Sequence, residues 1–176
     1  QQFPQAQVVG SEIFIAGLRY AAKRVPEASF LQMDARKNPY QGEFDVIGAF
    51  DVIEHIEEDI EVMKQVNIAL RSGGYFLITV PQHQWLWSQA DEYAQHVRRY
   101  SKVELHEKLT STGFKVVRSS SFVSTLLPAM MASRLFSRRV PMEAFDQHSE
   151  FNIPPLLNYL LWRVLSLEVS LVSLGI

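Results

Sequence analysis

Cysteine is absent from this sequence, which excludes disulfide bonds and thiolate metal ligands from its chemistry. An excess of charge is absent too, because 17 basic and 19 acidic residues leave a formal net charge of -2 at pH 7. Without a basic surplus the chain has no field that concentrates nucleic acid, so we expect no nucleic-acid partner. Residues 1–7 have neither the basic start nor the apolar run of a signal peptide, and a cytoplasmic location is expected.

Short apolar runs alternate with helical patterns along residues 8–117. Four of these runs predict buried strands, which end at Glu12, Asp34, Asp51 and Pro81. The other predicted elements are helices over residues 13–24, 57–70 and 101–113 and a last strand over residues 114–117. Solid apolar strands that alternate with helices predict a doubly wound α/β fold with a mainly parallel sheet.

Local signals set the ends of two of these helices. Gly73-Gly74 is expected to close the second helix, and the pair Ser101 and Glu104 forms a capping box that opens the third. Only about eight residues separate Asp34 from Phe44, fewer than a parallel crossover usually needs. The helix that connects those two strands must therefore be very short or absent.

The character of the chain changes after residue 120, and we expect residues 1–120 to form a core with 121–176 as its apolar helical elaboration. A strongly apolar helix follows Pro154-Pro155, with a stripe of recurring polar residues: Arg163, Ser166, Ser170 and Ser173. No uncharged run in it approaches the length of a membrane span. Packing on the domain is the favoured interpretation, with a membrane surface or a second subunit in contact with residues 155–174 as alternatives.

Three acids stand at the carboxyl ends of predicted strands, where open parallel sheets bind their ligands. The carboxylate of Glu12 can accept hydrogen bonds from both hydroxyls of a ribose. Asp34 can accept one from an adenine amino group. Taken singly, each acid is at least as readily explained as a helix cap or a solvated loop residue.

A series of sequence blocks resembles one known family. The blocks are VVGSE, FLQMDA, FDVIGAFDVIEHI, ALRSGGYFLITVP, HVRRYS and TGFKVV, in this order and spacing. They cover about Gln7 to Val117 and resemble the class I S-adenosylmethionine-dependent methyltransferases, especially their small-molecule branch. The resemblance implies a Rossmann-like fold and S-adenosylmethionine as the cofactor.

The resemblance also implies which residues hold that cofactor. The acid that binds the ribose falls on Glu12, with Ile13 beside it. The acid that binds adenine falls on Asp34, and Met33 and Ala35 flank the base.

The next strand end is implied to approach the methionine part of the cofactor through Phe50 and Asp51. The reaction would be attack by an acceptor atom on the sulfonium methyl group, for which a general base is optional. His55 is the weak candidate for that base. A small lipophilic acceptor is the preferred substrate, because the apolar segment after residue 120 lies where this family places substrate-binding elaborations.

One part of the family pattern has no counterpart, since no Gly-x-Gly turn occurs anywhere in the sequence. In the family that turn follows the central strand of the sheet, and a sheet without this strand exposes two edges of unpaired backbone groups. We expect the native protein to have a preceding segment that supplies the strand and the turn. The family's final antiparallel strand is missing in the same way.

A metal site is not expected. Asp51, Glu54 and His55 offer suitable ligand atoms, but two or three such groups do not define a coordination geometry, and no further ligand can be identified from spacing.

In a later loop, Arg98 and Arg99 could equally bind an acceptor substrate or pair with neighbouring acids.

Two other functions remain open on the sequence. A nicotinamide-dependent oxidoreductase also uses an acid after its second strand to hold a ribose. A non-catalytic member of the same fold could act as an interaction module through its apolar C-terminal helix.

Overall fold

The computed structural model describes residues 5–136 and 153–173, and the chain separates into two units. The first unit comprises Gln1–Ile53, Glu58–Thr79 and Ser111–Phe114, and the second comprises Glu54–Glu57, Val80–Thr110 and Lys115–Ile176. The division of the chain at residue 120 into core and elaboration stays a prediction.

The strands of the described ranges all lie in the first unit and pair two by two. In one sheet β1 (Val9–Glu12) runs parallel to β2 (Ser29–Gln32), and in the other β3 (Phe44–Phe50) runs parallel to β4 (Leu70–Thr79). Within the described residues no strand joins the two pairs. The parallel pairing confirms the predicted α/β class.

Two helices of the first unit follow the predicted apolar spacing but begin later than predicted. They are α1 (Ile15–Arg24) and α2 (Asp59–Ala69). One face of α2 is buried through Val62, Met63, Val66 and Ala69. Asp59 and Glu61 lie in its first turn, where the helix dipole favours negative charge.

The prediction that Gly73-Gly74 closes α2 was wrong. The helix ends at Ala69, and the next residue, Leu70, already pairs with Phe44 of β3. Gly73 has a φ of +82°, and a Cβ atom on Gly74 would lie 3.1 Å from the carbonyl oxygen of Asp45. Both glycines therefore serve the irregular start of β4, which needs a left-handed residue and a close backbone approach.

Of two further predictions, one for the connection after Asp34 and one for a last strand, the first is confirmed and the second is wrong. The short connection after Asp34 is confirmed as a single 3-10 turn over Ala35–Lys37. The strand predicted at residues 114–117 is wrong, because no strand of the described residues lies alongside to bond with it. Phe114 instead packs its ring against Phe76, with centroids 5.3 Å apart.

The second unit is mostly helical, with four helices in the described ranges: α3 (Gln89–Tyr93), α4 (Lys102–Ser111), α5 (Leu127–Phe136) and α6 (Pro155–Ser173). Tyr100 is buried where its backbone N–H donates to Pro81 and its carbonyl accepts from His83. Ser101 accepts a hydrogen bond from the backbone of Glu104, at 3.1 Å, so this half of the predicted capping box is present.

Helix α6 is held to its unit by polar contacts rather than by a buried apolar face. Glu168 is the buried residue of this helix, and its carboxylate accepts hydrogen bonds from Ser124 N at 2.7 Å and Thr125 Oγ1 at 2.6 Å. Arg118 donates to the carbonyl of Val172. Most apolar residues of α6 are exposed, and the packing of this helix on the domain stays a prediction.

By length and composition, α6 is the one helix in the described parts of the chain that could cross a membrane. Its mean hydropathy is 1.3, and only 6% of the segment is buried. A stripe of exposed leucines runs along one flank: Leu156, Leu160, Leu167 and Leu171. We call these four residues the leucine stripe.

Candidate functional site

Glu12 lies at the carboxyl end of β1, as predicted. Its Oε1 accepts a hydrogen bond from the backbone of Phe14 at 3.0 Å, while within the described residues Oε2 accepts none. A Cβ atom on Gly17 would lie 2.9 Å from Glu12 Cγ, so the absence of a side chain there leaves room for the carboxylate over the first turns of α1. The half-buried acid therefore keeps hydrogen-bonding capacity for a ligand.

The ends of β1 and β2 are joined by hydrogen bonds just beyond the last strand residues. Met33 N donates to Glu12 O at 3.1 Å, and the amide of Gln32 donates to Ile13 O at 2.8 Å. The structure therefore brings Glu12, Ile13 and Met33 together at one strand edge, with Asp34 next in the chain.

The carboxylate of Asp34 is already occupied by Arg36. The guanidinium donates to Asp34 Oδ2 at 2.8 Å and to Glu58 at 3.1 Å, and the Arg36 backbone N–H donates to Asp34 Oδ1 at 3.0 Å. The hydrogen bonds of the Arg36 side chain and backbone hold the pKa of Asp34 below its usual range. Adenine would have to share or displace Arg36, a partner that the sequence interpretation did not identify.

The ends of β3 and β4 form a second, separately bonded edge. Asp51 has a φ of +51°, and its N–H donates to Thr79 O at 3.1 Å. The Thr79 hydroxyl donates in turn to Asp51 Oδ1 at 3.2 Å. A left-handed conformation in a residue other than glycine is uncommon and frequently marks functional sites.

Phe50 exposes 61% of its surface at this edge, an unusual exposure for the last residue of an apolar strand. A Cβ atom on Gly48 would lie 2.7 Å from the Phe50 ring, so the ring lies back over the glycine on the same face of the strand. Phe50 and Asp51 thus stand at a strand end as predicted, with an aromatic face open to a ligand.

In the second unit, Arg98 and Arg99 form hydrogen bonds with residues of the same unit. Arg99 donates to Asp91 at 2.7 and 3.1 Å and to Gln82 O at 3.1 Å, and Arg98 donates to Glu57 at 3.0 Å. Asp91 is only 1% exposed. These bonds favour the interpretation that both arginines pair with neighbouring acids and do not grip an acceptor.

Asp91 is also the residue that orders this loop, and the sequence interpretation overlooked it. It accepts from Ser88 N at 2.8 Å in a capping box that opens α3, and it contacts His96 Nδ1 at 3.0 Å. Burial alone would raise the pKa of Asp91, but hydrogen bonds from Arg99 and His96 outweigh it and hold that pKa below its usual range. The sequence signal was present, as Ser88 with an acid three residues later.

His55 ends a 3-10 turn over Ile53–His55 and is exposed. Its ring meets that of His96 edge to face, with centroids 4.6 Å apart. The sequence did not predict that these two histidines, 41 positions apart by number, would come together.

A family model described as a methyltransferase domain matches residues 1–119, more than half of the chain. The chain belongs to this methyltransferase family. The resemblance read from the sequence blocks is thereby confirmed, and so is the Rossmann-like class I methyltransferase fold. No curated protein gives a significant match to the chain.

Solved structures with the same fold are distant in sequence. A putative methyltransferase from Bacillus halodurans is 16% identical with a TM-score of 0.58, over 85% of this chain and 71% of that one. A SAM-dependent methyltransferase from Thermotoga maritima is 22% identical with a TM-score of 0.51, over 62% and 55%. The [4+2]-cyclase SpnF is 21% identical with a TM-score of 0.55, over 64% and 44%.

These identities are too low to transfer a substrate, and the likeness shows the fold alone. The chain spans about half the length of the cyclase and of the Thermotoga protein. That one similar structure is a cyclase illustrates that a shared fold does not fix the reaction.

Proposed function

We propose that the protein binds S-adenosylmethionine at the carboxyl ends of its strands and transfers the methyl group to a small lipophilic acceptor. The observation that carries the proposal is Glu12, which combines a strand-end position with a carboxylate oxygen left available by its own fold. In a family of methyltransferases, this is the position that suits the two ribose hydroxyls of the cofactor.

The residues of the first unit fit the cofactor in part. Glu12 would hold the ribose, Phe50 would offer its open ring to the methionine part, and Asp51 would stand beside it. A Gly-x-Gly turn for the amino-acid end of the cofactor is not in this sequence. Asp34 can serve adenine only in competition with Arg36.

When bound, the cofactor supplies an electrophilic sulfonium methyl group, so the protein's share is alignment of the two reactants and exclusion of water. Glu12 would hold the cofactor by its ribose and so help to position it for transfer. A base is needed only if the acceptor must lose a proton before attack, and His55 is the proposed candidate.

Calorimetric titration of the full-length protein with S-adenosylhomocysteine tests the role of Glu12. We expect Glu12→Gln to weaken binding about 10- to 100-fold, because charge-assisted hydrogen bonds contribute about 1.5–3 kcal/mol. Glu43→Gln is the matched control, since this exposed acid lies in the same unit at the amino end of β3, away from the carboxyl ends of the strands, and it should bind like the wild type.

Equal binding by the wild type and Glu12→Gln would remove Glu12 from the site. Displacement of bound S-adenosylhomocysteine by NAD at comparable concentration would instead favour the nicotinamide-dependent oxidoreductase. Failure of the full-length wild type to bind either nucleotide would favour a non-catalytic interaction module.

We also propose that the protein is cytoplasmic and rests on a lipid surface through α6, where a lipophilic acceptor would be at hand. The leucine stripe is exposed, with 73% of Leu156 and 66% of Leu167 in solvent. The serines of the polar stripe donate to carbonyls of their own helix, Ser166 to Trp162 at 2.8 Å and Ser170 to Ser166 at 3.1 Å. Internally bonded hydroxyls need no water, so they do not hold the helix away from lipid.

Arg163 stands near the middle of α6, which disfavours a helix that spans the bilayer and suits one that lies in the interface. Its long side chain can keep the charge among lipid headgroups while its stem lies along the apolar surface. The proposed range for this contact, 155–174, ends one residue beyond the described part of the helix.

A further inference from the structure

A group of side chains with metal-ligand chemistry lies in the second unit. The ligand atoms of Glu54, His55 and His96 all lie within 4.8 Å of one another. The two segments that carry them are tied by a backbone hydrogen bond, from Val97 N to Glu54 O at 2.8 Å. Their approach is therefore part of the fold and not a chance meeting of flexible side chains.

The hydrogen bond from His96 to Asp91 determines which ring nitrogen of His96 is available. Asp91 is buried, and both of its carboxylate oxygens accept hydrogen bonds from Arg99, so it also acts as the acceptor for His96 Nδ1 at 3.0 Å. The proton is consequently on Nδ1, and the lone pair of Nε2 is free to coordinate. A carboxylate that orients a histidine in this way is the usual outer support of a metal-ligating imidazole.

Glu54 contributes a carboxylate from the interior, because its side chain is 0% exposed. His55 is exposed, so its ring can turn toward the carboxylate and His96 and close the remaining distance. The same exposure leaves one side of the site open to water or to a ligand.

We propose that Glu54, His55 and His96 bind a divalent transition-metal ion, with Asp91 as the residue that positions His96. One carboxylate and two imidazoles suit Zn²⁺, Fe²⁺ or Mn²⁺, whereas Mg²⁺ and Ca²⁺ prefer oxygen ligands alone. Three protein ligands with an open side are the arrangement in which a metal can still take a further oxygen. The proposed site uses only residues of the second unit, and His55 would serve there as a metal ligand instead of as the general base named above.

The sequence analysis named Asp51, Glu54 and His55 and identified no further ligand. The proposed site takes His96 in place of Asp51, and only the folded loop brings His96 to Glu54 and His55. The sequence spacing from His55 to His96 matches no compact metal motif, which is why it gave no signal.

The test is titration of metal-stripped full-length protein with Co²⁺, followed by its visible absorption, and with Zn²⁺ by calorimetry. We expect one equivalent to bind, with Co²⁺ bands that Zn²⁺ abolishes. His96→Gln and His55→Asn should each weaken binding at least about 10- to 100-fold, as losses around metal sites commonly do. His106→Gln is the matched control, a histidine of the same unit outside the cluster, and should bind like the wild type.

His55→Asn keeps the test valid if His96→Gln disturbs the loop, because an exposed side chain can be replaced without unfolding the protein. The proposal is overturned if the wild type binds no Co²⁺ or Zn²⁺, or if His55→Asn binds as tightly as His106→Gln. Binding of Mg²⁺ in preference to Zn²⁺ would overturn the assignment to a transition metal.

Discussion

Replacing Asp91 with alanine is expected to lower the free energy of unfolding by about 3–5 kcal/mol, the usual cost of removing one partner from a buried ion pair. Arg99 is 11% exposed and directs its guanidinium at Asp91, so the substitution leaves a nearly buried cation without its carboxylate. His96 and the start of α3 lose a partner in the same step. Urea denaturation followed by circular dichroism measures the change.

The matched control is Asp45→Ala, which breaks an ion pair of the same type at the surface. Asp45 accepts from Arg71 at 2.8 Å, but its side chain is 78% exposed, and such pairs contribute about 0–1 kcal/mol. A loss for Asp91→Ala no larger than that for Asp45→Ala would show that the buried network does not stabilise the loop.

The same network predicts how stability depends on pH. The pKa of Asp91 is lower in the folded protein than in the unfolded chain. Its contribution is therefore fully present above the ordinary aspartate pKa and is lost as the pH falls through the lower, folded value. Asp91→Ala should flatten this acid limb of the stability curve, and an unchanged limb would contradict the assignment.

The second large effect is expected at α6. The full-length protein should float with vesicles of phosphatidylcholine mixed with phosphatidylserine, and Leu160→Asp with Leu167→Asp should weaken this binding at least about 100-fold. Each buried leucine contributes about 1.5–3 kcal/mol, and the substitution also adds charge where lipid chains lie. Flotation followed by quantification of the bound fraction measures the effect.

Val103→Asp with Val117→Asp is the control, because these valines are as exposed as the leucine stripe but lie outside α6. This variant should float like the wild type. If the stripe variant floats normally, or if the wild type stays in solution as a dimer that the stripe variant disrupts, the lipid surface is the wrong occupant and a second copy of the chain is the right one.

The strand ends could be predicted from sequence because each apolar run is short and stops at an acid. Glu12 is the last residue of β1, and Asp34 and Asp51 lie within two residues of the ends of β2 and β3. The prediction that these strands are buried was wrong, because most of their residues are half-buried or exposed. The parallel pairing followed from the alternation with helices. These signals are local, so they can be recognised without knowing the tertiary contacts.

What could not be predicted depends on partners outside the local pattern. Arg36 reaches Asp34 and Glu58 at once, and the position of Glu58 is known only after α2 is in place. The approach of His96 to His55 needs the loop that Asp91 organises. Gly73 was misread for a related reason, because a glycine after a helix is a common cap and only the pairing of Leu70 with Phe44 shows otherwise.

Glu168 fixes the rotation of α6 about its own axis. Its two oxygens find the amide and hydroxyl partners of Ser124 and Thr125 only when this side of the helix faces them, and a turn by one residue would leave a buried charge unpaired. The leucine stripe consequently has a fixed orientation relative to Ser124 and Thr125. The single carboxylate of Glu168 therefore sets which way the leucine stripe faces, and with it the side from which a hydrophobic molecule would reach this unit.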